Sequence, residues 1–268
     1  MSDALDRAAL TCLGATIVRR RRLHGGDLSD VFLLNLSDER QVVAKVGTRV
    51  AAEARMLQAM LAAGAPAPDV LGPEGEFLFL EALPEAAATG EAWEALGHGL
   101  RTLHNTTGPH YGWAEDYAFG PVGIPNAPKT NWIDFWVENR LLAAPDALPT
   151  DITRRMEALA TRLPDLMPAS PNAALLHGDL WTGNALFTRT KAYLIDPACY
   201  YGHAEVDLAM LCLFGAPPEA FWSGYSPTDA GLNERRALYQ LWPALVHLRL
   251  FGTDYRGMVE TRLSALGA

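Results

Sequence analysis

The chain has 268 residues, with 22 Lys and Arg against 31 Asp and Glu, giving a formal net charge of −9. At 49% hydrophobic and 20% charged, the composition excludes a disordered tail, a collagen-like fibre and a disulfide scaffold. The acidic balance argues against a sequence-independent nucleic-acid binder, which needs a basic face to displace counterions from phosphates. Small anions stay open, because a few local groups can hold a phosphate inside an acidic protein. Cys12, Cys199 and Cys212 lie far apart, without the clustered spacing of a zinc site, and read as free thiols.

Residues 1–13 mix acids and bases and lack the apolar stretch of a signal peptide. No apolar run approaches the roughly 20 residues of a membrane span, so a cytoplasmic protein with no membrane partner is expected. From about residue 14 to 83, short apolar runs alternate with turns. Residues 15–18, 31–34 and 41–46 are β-branched or alternating and predict strands. Gly25-Gly26-Asp27 breaks the first pair, and residues 37–40 turn the second into a hairpin. Val50, Ala54, Leu57 and Leu61 fall at helical spacing, with Gly64 and Pro66 as the stop. Residues 77–80 form one further strand.

Beyond Pro84 the pattern becomes mainly helical. Residues 91–105 carry Trp93, Leu96, Leu100, Leu103 and His104 on one face. Residues 133–142 and 152–163 predict two more helices, and residues 238–251 a helix interrupted at Pro243. Between them, residues 108–129 form a Gly- and Pro-rich loop long enough to be functional or mobile. The fold class is therefore α+β, with a small β-rich lobe over residues 1–84 and a larger helical lobe over residues 85–268.

The most informative stretch is Leu175-Leu176-His177-Gly178-Asp179-Leu180-Trp181-Thr182-Gly183-Asn184. An apolar run enters a polar turn, residues 185–187 leave it, and a second short strand at residues 192–195 ends at Asp196. Asp179, Asn184 and Asp196 thus stand at strand ends, where their oxygens suit a hard cation such as Mg²⁺. Each alone could merely hydrogen-bond a turn; together they form a site. The spacing D-x₄-N, with an Asp after a hairpin, is that of protein-kinase-like folds, where the roles are catalytic base, metal ligand and metal ligand.

The first lobe fits the same chemistry. Lys45 lies in an otherwise apolar strand after a glycine-containing turn, where kinase-like folds hold the nucleotide phosphates and pair the lysine with a helix glutamate. Glu53 is the natural partner, ahead of Glu74 and Glu76. Gly25 and Gly26 mark a loop over the phosphates, with Asp27 beside them and no assigned role. Glu81 and Leu83 mark a hinge whose backbone could read an adenine edge. After Asp196 comes Pro197-Ala198, and a helix with Val206, Asp207 and Met210 begins a few residues on. That gap holds no peptide-docking activation loop, so the acceptor is a small molecule.

The residues from His177 to Asn184 closely resemble the fructosamine kinase (ketosamine-3-kinase) family, within the aminoglycoside phosphotransferase superfamily. So do Ile195-Asp196-Pro197-Ala198-Cys199-Tyr200-Tyr201-Gly202-His203-Ala204-Glu205-Val206-Asp207, residues 131–136 with Asn139-Arg140-Leu141, and residues 239–243 with His247. The resemblance implies a two-lobed kinase-like fold and ATP- and Mg²⁺-dependent phosphorylation of the 3-hydroxyl of a ketosamine, such as a glycated lysine. The unstable product sheds its sugar, which implies deglycation repair. Asp179 would take the hydroxyl proton, with Trp181 and His203 near the substrate and His177 and Asp207 as structural support. Other small-molecule kinases, acting on aminoglycosides or choline, and a non-catalytic nucleotide-binding scaffold are the rival readings. The oligomeric state is not legible.

Overall fold

The computed structural model describes residues 2–23, 29–226 and 231–268. Gly25, Gly26 and Asp27 lie outside the described residues. Helix α1 (Ser2–Leu13) comes first, in a segment where no element is expected from the sequence. Five strands follow: β1 (Ile17–Arg22), β2 (Asp30–Leu36), β3 (Gln41–Val46), β4 (Val70–Glu74) and β5 (Phe77–Glu81), with helix α2 (Val50–Ala62) between β3 and β4. They form one antiparallel sheet in the order β1-β2-β3-β5-β4. β1 begins two residues later than the apolar run and extends four residues beyond it through the arginines at 19–22, because an edge strand tolerates solvated side chains. β4 escapes the apolar-run criterion because Gly72 and Pro73 interrupt it.

Alternation along β3 divides two cores. Val42 and Ala44 pack with Leu5, Ala9 and Leu34 under α1. Val43 points the other way, toward the core that α2 shares with the second lobe, and Lys45 has the same parity.

The second lobe contains helices α3 (Gly90–His104), α4 (Trp132–Trp136), α5 (Thr150–Ala160), α6 (Leu163–Leu166), α7 (Glu205–Leu211), α8 (Glu219–Tyr225), α9 (Leu232–Phe251) and α10 (Arg256–Ala265). α3 is capped by Thr89, whose hydroxyl accepts from the Ala92 amide at 3.1 Å. α4 is capped by Asn131 and runs into a π-helical turn, Val137–Leu141. α9 passes unbroken through Pro243, contrary to the expected interruption. Residues 238–246 are all buried there, so packing on both sides outweighs the hydrogen bond that proline forfeits.

The 108–129 segment is no featureless loop: it holds the hairpin β6 (Tyr117–Phe119) and β7 (Val122–Ile124). Short strands β8 (Ala174–Leu176) and β11 (Tyr200–Gly202) pair, as do β9 (Ala185–Phe187) and β10 (Ala192–Leu194). Among the described residues no helix is long and apolar enough to cross a membrane.

Candidate active site

Lys45 is 8% exposed and Glu53 3%. Strand β3 and the first turn of α2 bring the Lys45 Nζ to 2.8 Å from Glu53 Oε1, and it lies equally close to Oδ1 of Asp196. Burial works against the ammonium, but the two carboxylates outweigh it and hold the Lys45 pKa above its ordinary value. The lysine therefore stays charged between the lobes.

Asp196 follows β10 with φ of +55°, a left-handed backbone that non-glycine residues rarely adopt and that concentrates at functional sites. The Ile195 amide donates to the Asn184 carbonyl at 3.0 Å, tying this corner to the preceding loop.

That loop is held from behind. Asp207, fully buried in the first turn of α7, accepts the His177 amide at 2.7 Å and the Gly178 amide at 2.9 Å. Gly178 has φ of +81°, and a Cβ there would meet the Ala198 carbonyl oxygen at 2.0 Å, so the turn requires glycine. His177 Nε2 lies 2.8 Å from the Ile195 carbonyl, and Nδ1 accepts the Asp179 amide at 3.3 Å. That pattern assigns the neutral Nε2–H tautomer, and burial lowers the His177 pKa. His177 is a brace, with both ring nitrogens committed.

Asp179 itself is half-buried on the cavity wall. Asn184 Nδ2 donates to its carbonyl at 2.8 Å and to its Oδ2 at 3.1 Å. Burial, aided by Asp196 and Asp207 and opposed by the Asn184 amide, pushes the Asp179 pKa up to about 7. A carboxylate so placed is a competent proton acceptor near neutral pH.

Lys45, Glu53, Asp179, Trp181, Asn184 and Asp196 all line one cavity of about 470 Å³. Trp181 is 39% exposed and meets Phe214 edge-on at 6.0 Å. Glu81 and Leu83 are not among the lining residues, and the Glu81 amide donates to the Asp69 carbonyl at 2.9 Å. His203 does not line the cavity either, and its Nδ1 lies 2.7 Å from the Tyr239 hydroxyl.

The sequence reading missed His104. Its Nε2 lies 3.0 Å from Asp207 Oδ2 and its Nδ1 2.8 Å from the Tyr225 hydroxyl. The only sequence signal was a histidine on the apolar face of α3. Tyr117 and Phe119 of the β6–β7 hairpin also line the cavity.

Asn184 and Asp196 present an amide and a carboxylate, the oxygen donors a hard cation prefers. Asn184 turns its Nδ2 to Asp179, so its side-chain oxygen is the atom it can offer. Among the described residues no group of three His, Cys, Asp and Glu side chains forms a complete cation cage. A divalent ion held here would complete its shell with water and phosphate oxygens, as Mg²⁺ commonly does in phosphoryl-transfer sites.

The wider relationships of the chain agree with this geometry. The probable ketoamine kinase of Synechocystis sp. is 34% identical over 272 residues, covering 92% of this chain and 90% of that protein. A crystal structure from Thermobifida fusca, provisionally named a fructosamine-3-kinase, superimposes with a TM-score of 0.89 at 29% identity and covers 98% of both chains. A macrolide 2'-phosphotransferase from Brachybacterium faecium shares the fold at a TM-score of 0.62 and 18% identity, again covering 98% of both chains. The fold is thus the two-lobed protein-kinase-like one. The family profile described as fructosamine kinase matches residues 3–266, and the chain belongs to that family.

Proposed function

We propose that this chain transfers the γ-phosphoryl group of ATP to the 3-hydroxyl of a ketosamine, the sugar adduct of an amine such as lysine, as a cytoplasmic deglycation step. The observation that carries the reading is the convergence of Lys45, Asp179, Asn184 and Asp196 on one cavity in a chain of the fructosamine kinase family. Residues 1–84 act as the nucleotide lobe and residues 85–268 as the acceptor lobe.

Mg·ATP, when bound, supplies the phosphoryl group and the divalent charge that offsets its oxygens. Asn184 and Asp196 would hold the cation. Lys45, kept as an ammonium by Glu53 and Asp196, would hold the nucleotide phosphates, and Gly25 and Gly26 are assigned to the same phosphates. Glu81 and Leu83 lie beyond the cavity lining, and with the Glu81 amide already committed to Asp69, the Glu81 carbonyl and the Leu83 backbone would take the adenine edge. Asp179 orients the acceptor hydroxyl and takes its proton, while Asp207 and His177 fix the loop so that the carboxylate is already aimed. Trp181, exposed beside Asp179, offers its indole face to the sugar or its amine carrier.

The test is Mg·ATP-dependent ADP formation with ribuloselysine, fructoselysine, kanamycin and choline, alongside Asp179→Ala. Turnover of a ketosamine that vanishes in the variant supports the reading. Turnover of kanamycin or choline alone keeps the fold and rejects ketosamine specificity. Nucleotide binding without any turnover favours a scaffold.

A further inference from the structure

The hairpin within residues 108–129 takes no part in the chemistry above, yet it touches both lobes at the cavity. We infer that it is a positioning strap. Glu115, through Arg55, sets the rotation of α2 and so keeps Glu53 on Lys45, an inference that rests on the kinase reading of the site.

The lower end of the strap is fixed in the second lobe. The Asn126 amide donates to Asp116 Oδ1 at 2.7 Å, and Asn126 Nδ2 donates to the Glu115 carbonyl at 3.1 Å. Beneath them Arg140 is 1% exposed and donates to the Pro125 carbonyl at 2.7 Å and to Asn126 Oδ1 at 2.9 Å. Its guanidinium stacks on Tyr200, 4.1 Å from the ring centre. The π-helical turn that carries Arg140 also carries Asn139, which donates to the Ala127 carbonyl at 2.9 Å. π-helical turns are frequent at functional sites, and this one carries both side chains that hold the base of the hairpin.

The upper end grips α2. Arg55 Nε and Nη2 reach the two carboxylate oxygens of Glu115 at 2.8 and 2.7 Å, a bidentate pair. Arg49, just before α2, lies over the Tyr117 ring at 6.0 Å. Glu53 and Arg55 are two residues apart and so stand about 200° apart around the helix. One faces Lys45 and the other faces the hairpin. Any rotation of α2 that opens the Arg55–Glu115 pair also swings Glu53 off Lys45. In kinase-like folds the lysine–glutamate pair must be in place for turnover, so Glu115 and Arg55 are positioning residues for phosphate binding.

The experiment compares wild type, Arg55→Glu, Glu115→Arg and the double swap for AMP-PNP affinity in the presence of Mg²⁺ by calorimetry, with thermal melts to verify folding. Both single variants are expected to weaken AMP-PNP binding by about three- to tenfold, and the swap to restore it. Through-space charge alone would instead weaken binding in Arg55→Glu and tighten it in Glu115→Arg, and that outcome overturns the strap. Equal affinity in all four proteins, even with lowered melting temperatures in the single variants, also overturns it. A wild type that binds no nucleotide overturns the kinase reading and takes the strap with it.

Discussion

His104 Nε2 lies 3.0 Å from Asp207 Oδ2, the same oxygen that accepts the His177 amide at 2.7 Å. A chain of hydrogen bonds thus runs from Tyr225 through His104 to the backbone of the loop that presents Asp179. Burial would raise the Asp207 carboxyl, but the hydrogen bonds from His104 and the Gly178 amide outweigh it and hold it below the usual range. Asp207 remains an anion in a fully buried place because its donors are supplied from both sides.

Removing the His104 donor leaves that anion partly unsatisfied. His104→Phe is expected to destabilise the protein by about 1–3 kcal/mol and to lower kcat by about 10- to 100-fold through misplacement of Asp179. KM for ATP stays near wild type, since Lys45 is untouched. His104→Gln, which can still donate to Asp207, recovers most of kcat. Steady-state kinetics on the three proteins test this, and equal losses for Phe and Gln would count against a positioning role.

The proposed role of Asp179 as base sets function against stability. Its carboxyl titrates near 7 in the fold against about 3.9 when unfolded. A raised acid contributes stability below the unfolded value, and that contribution is lost as pH rises through the folded value. At about pH 8.5 the buried charge is therefore a liability, and Asp179→Asn is expected to raise Tm by about 2–5 °C. The same change removes the proton acceptor and lowers kcat by about 10²–10⁴-fold. Differential scanning calorimetry and kinetics on one preparation check both halves.

The pH profile follows from the same group. Only ionised Asp179 accepts a proton, so kcat/KM with a ketosamine should fall about tenfold per pH unit on the acid side of about 7. A bound divalent cation favours the anion, so the midpoint lies lower in kcat/KM for the ketosamine at saturating Mg·ATP than in kcat/KM for Mg·ATP, which reports the free enzyme. A profile flat from about pH 5 to 8 would exclude Asp179 as the base.

Lys45 and Glu53 form a buried pair in which neither partner is expendable. Lys45→Met strands Glu53 in an apolar setting and is expected to destabilise the protein by about 3–5 kcal/mol. The double variant Lys45→Met/Glu53→Leu removes both charges and recovers most of that stability without recovering activity. Urea unfolding of the three proteins measures the recovery, and ADP release measures the loss.

Much of the site was legible because it is written locally. Asp179 and Asn184 share one loop, Asp196 closes a strand, and the helical spacing after Lys45 already placed Glu53 in the first turn of α2. Other features left no local trace. Pro243 carries a strong breaking signal that burial on both sides of α9 overrides, and β4 hides behind Gly72 and Pro73. His203 sits in a motif full of site residues, yet it turns to Tyr239 and the core.

By itself the sequence divided the chain into a strand-rich first part and a helical second part, and grouped Lys45, Asp179, Asn184 and Asp196 as one candidate site. These rest on periodicity and on residue types at short spacing, which act within one strand, turn or helix. Tertiary structure alone decided which distant groups meet. His104 and Asp207 are 103 residues apart and Arg55 and Glu115 are 60. Neither helix α3 nor the 108–129 segment carries any local pattern that names its partner. Packing of the core around α3 and α7 removes water from the His104–Asp207 bond, whereas the exposed Arg55–Glu115 pair depends on packing only to bring α2 beside the hairpin.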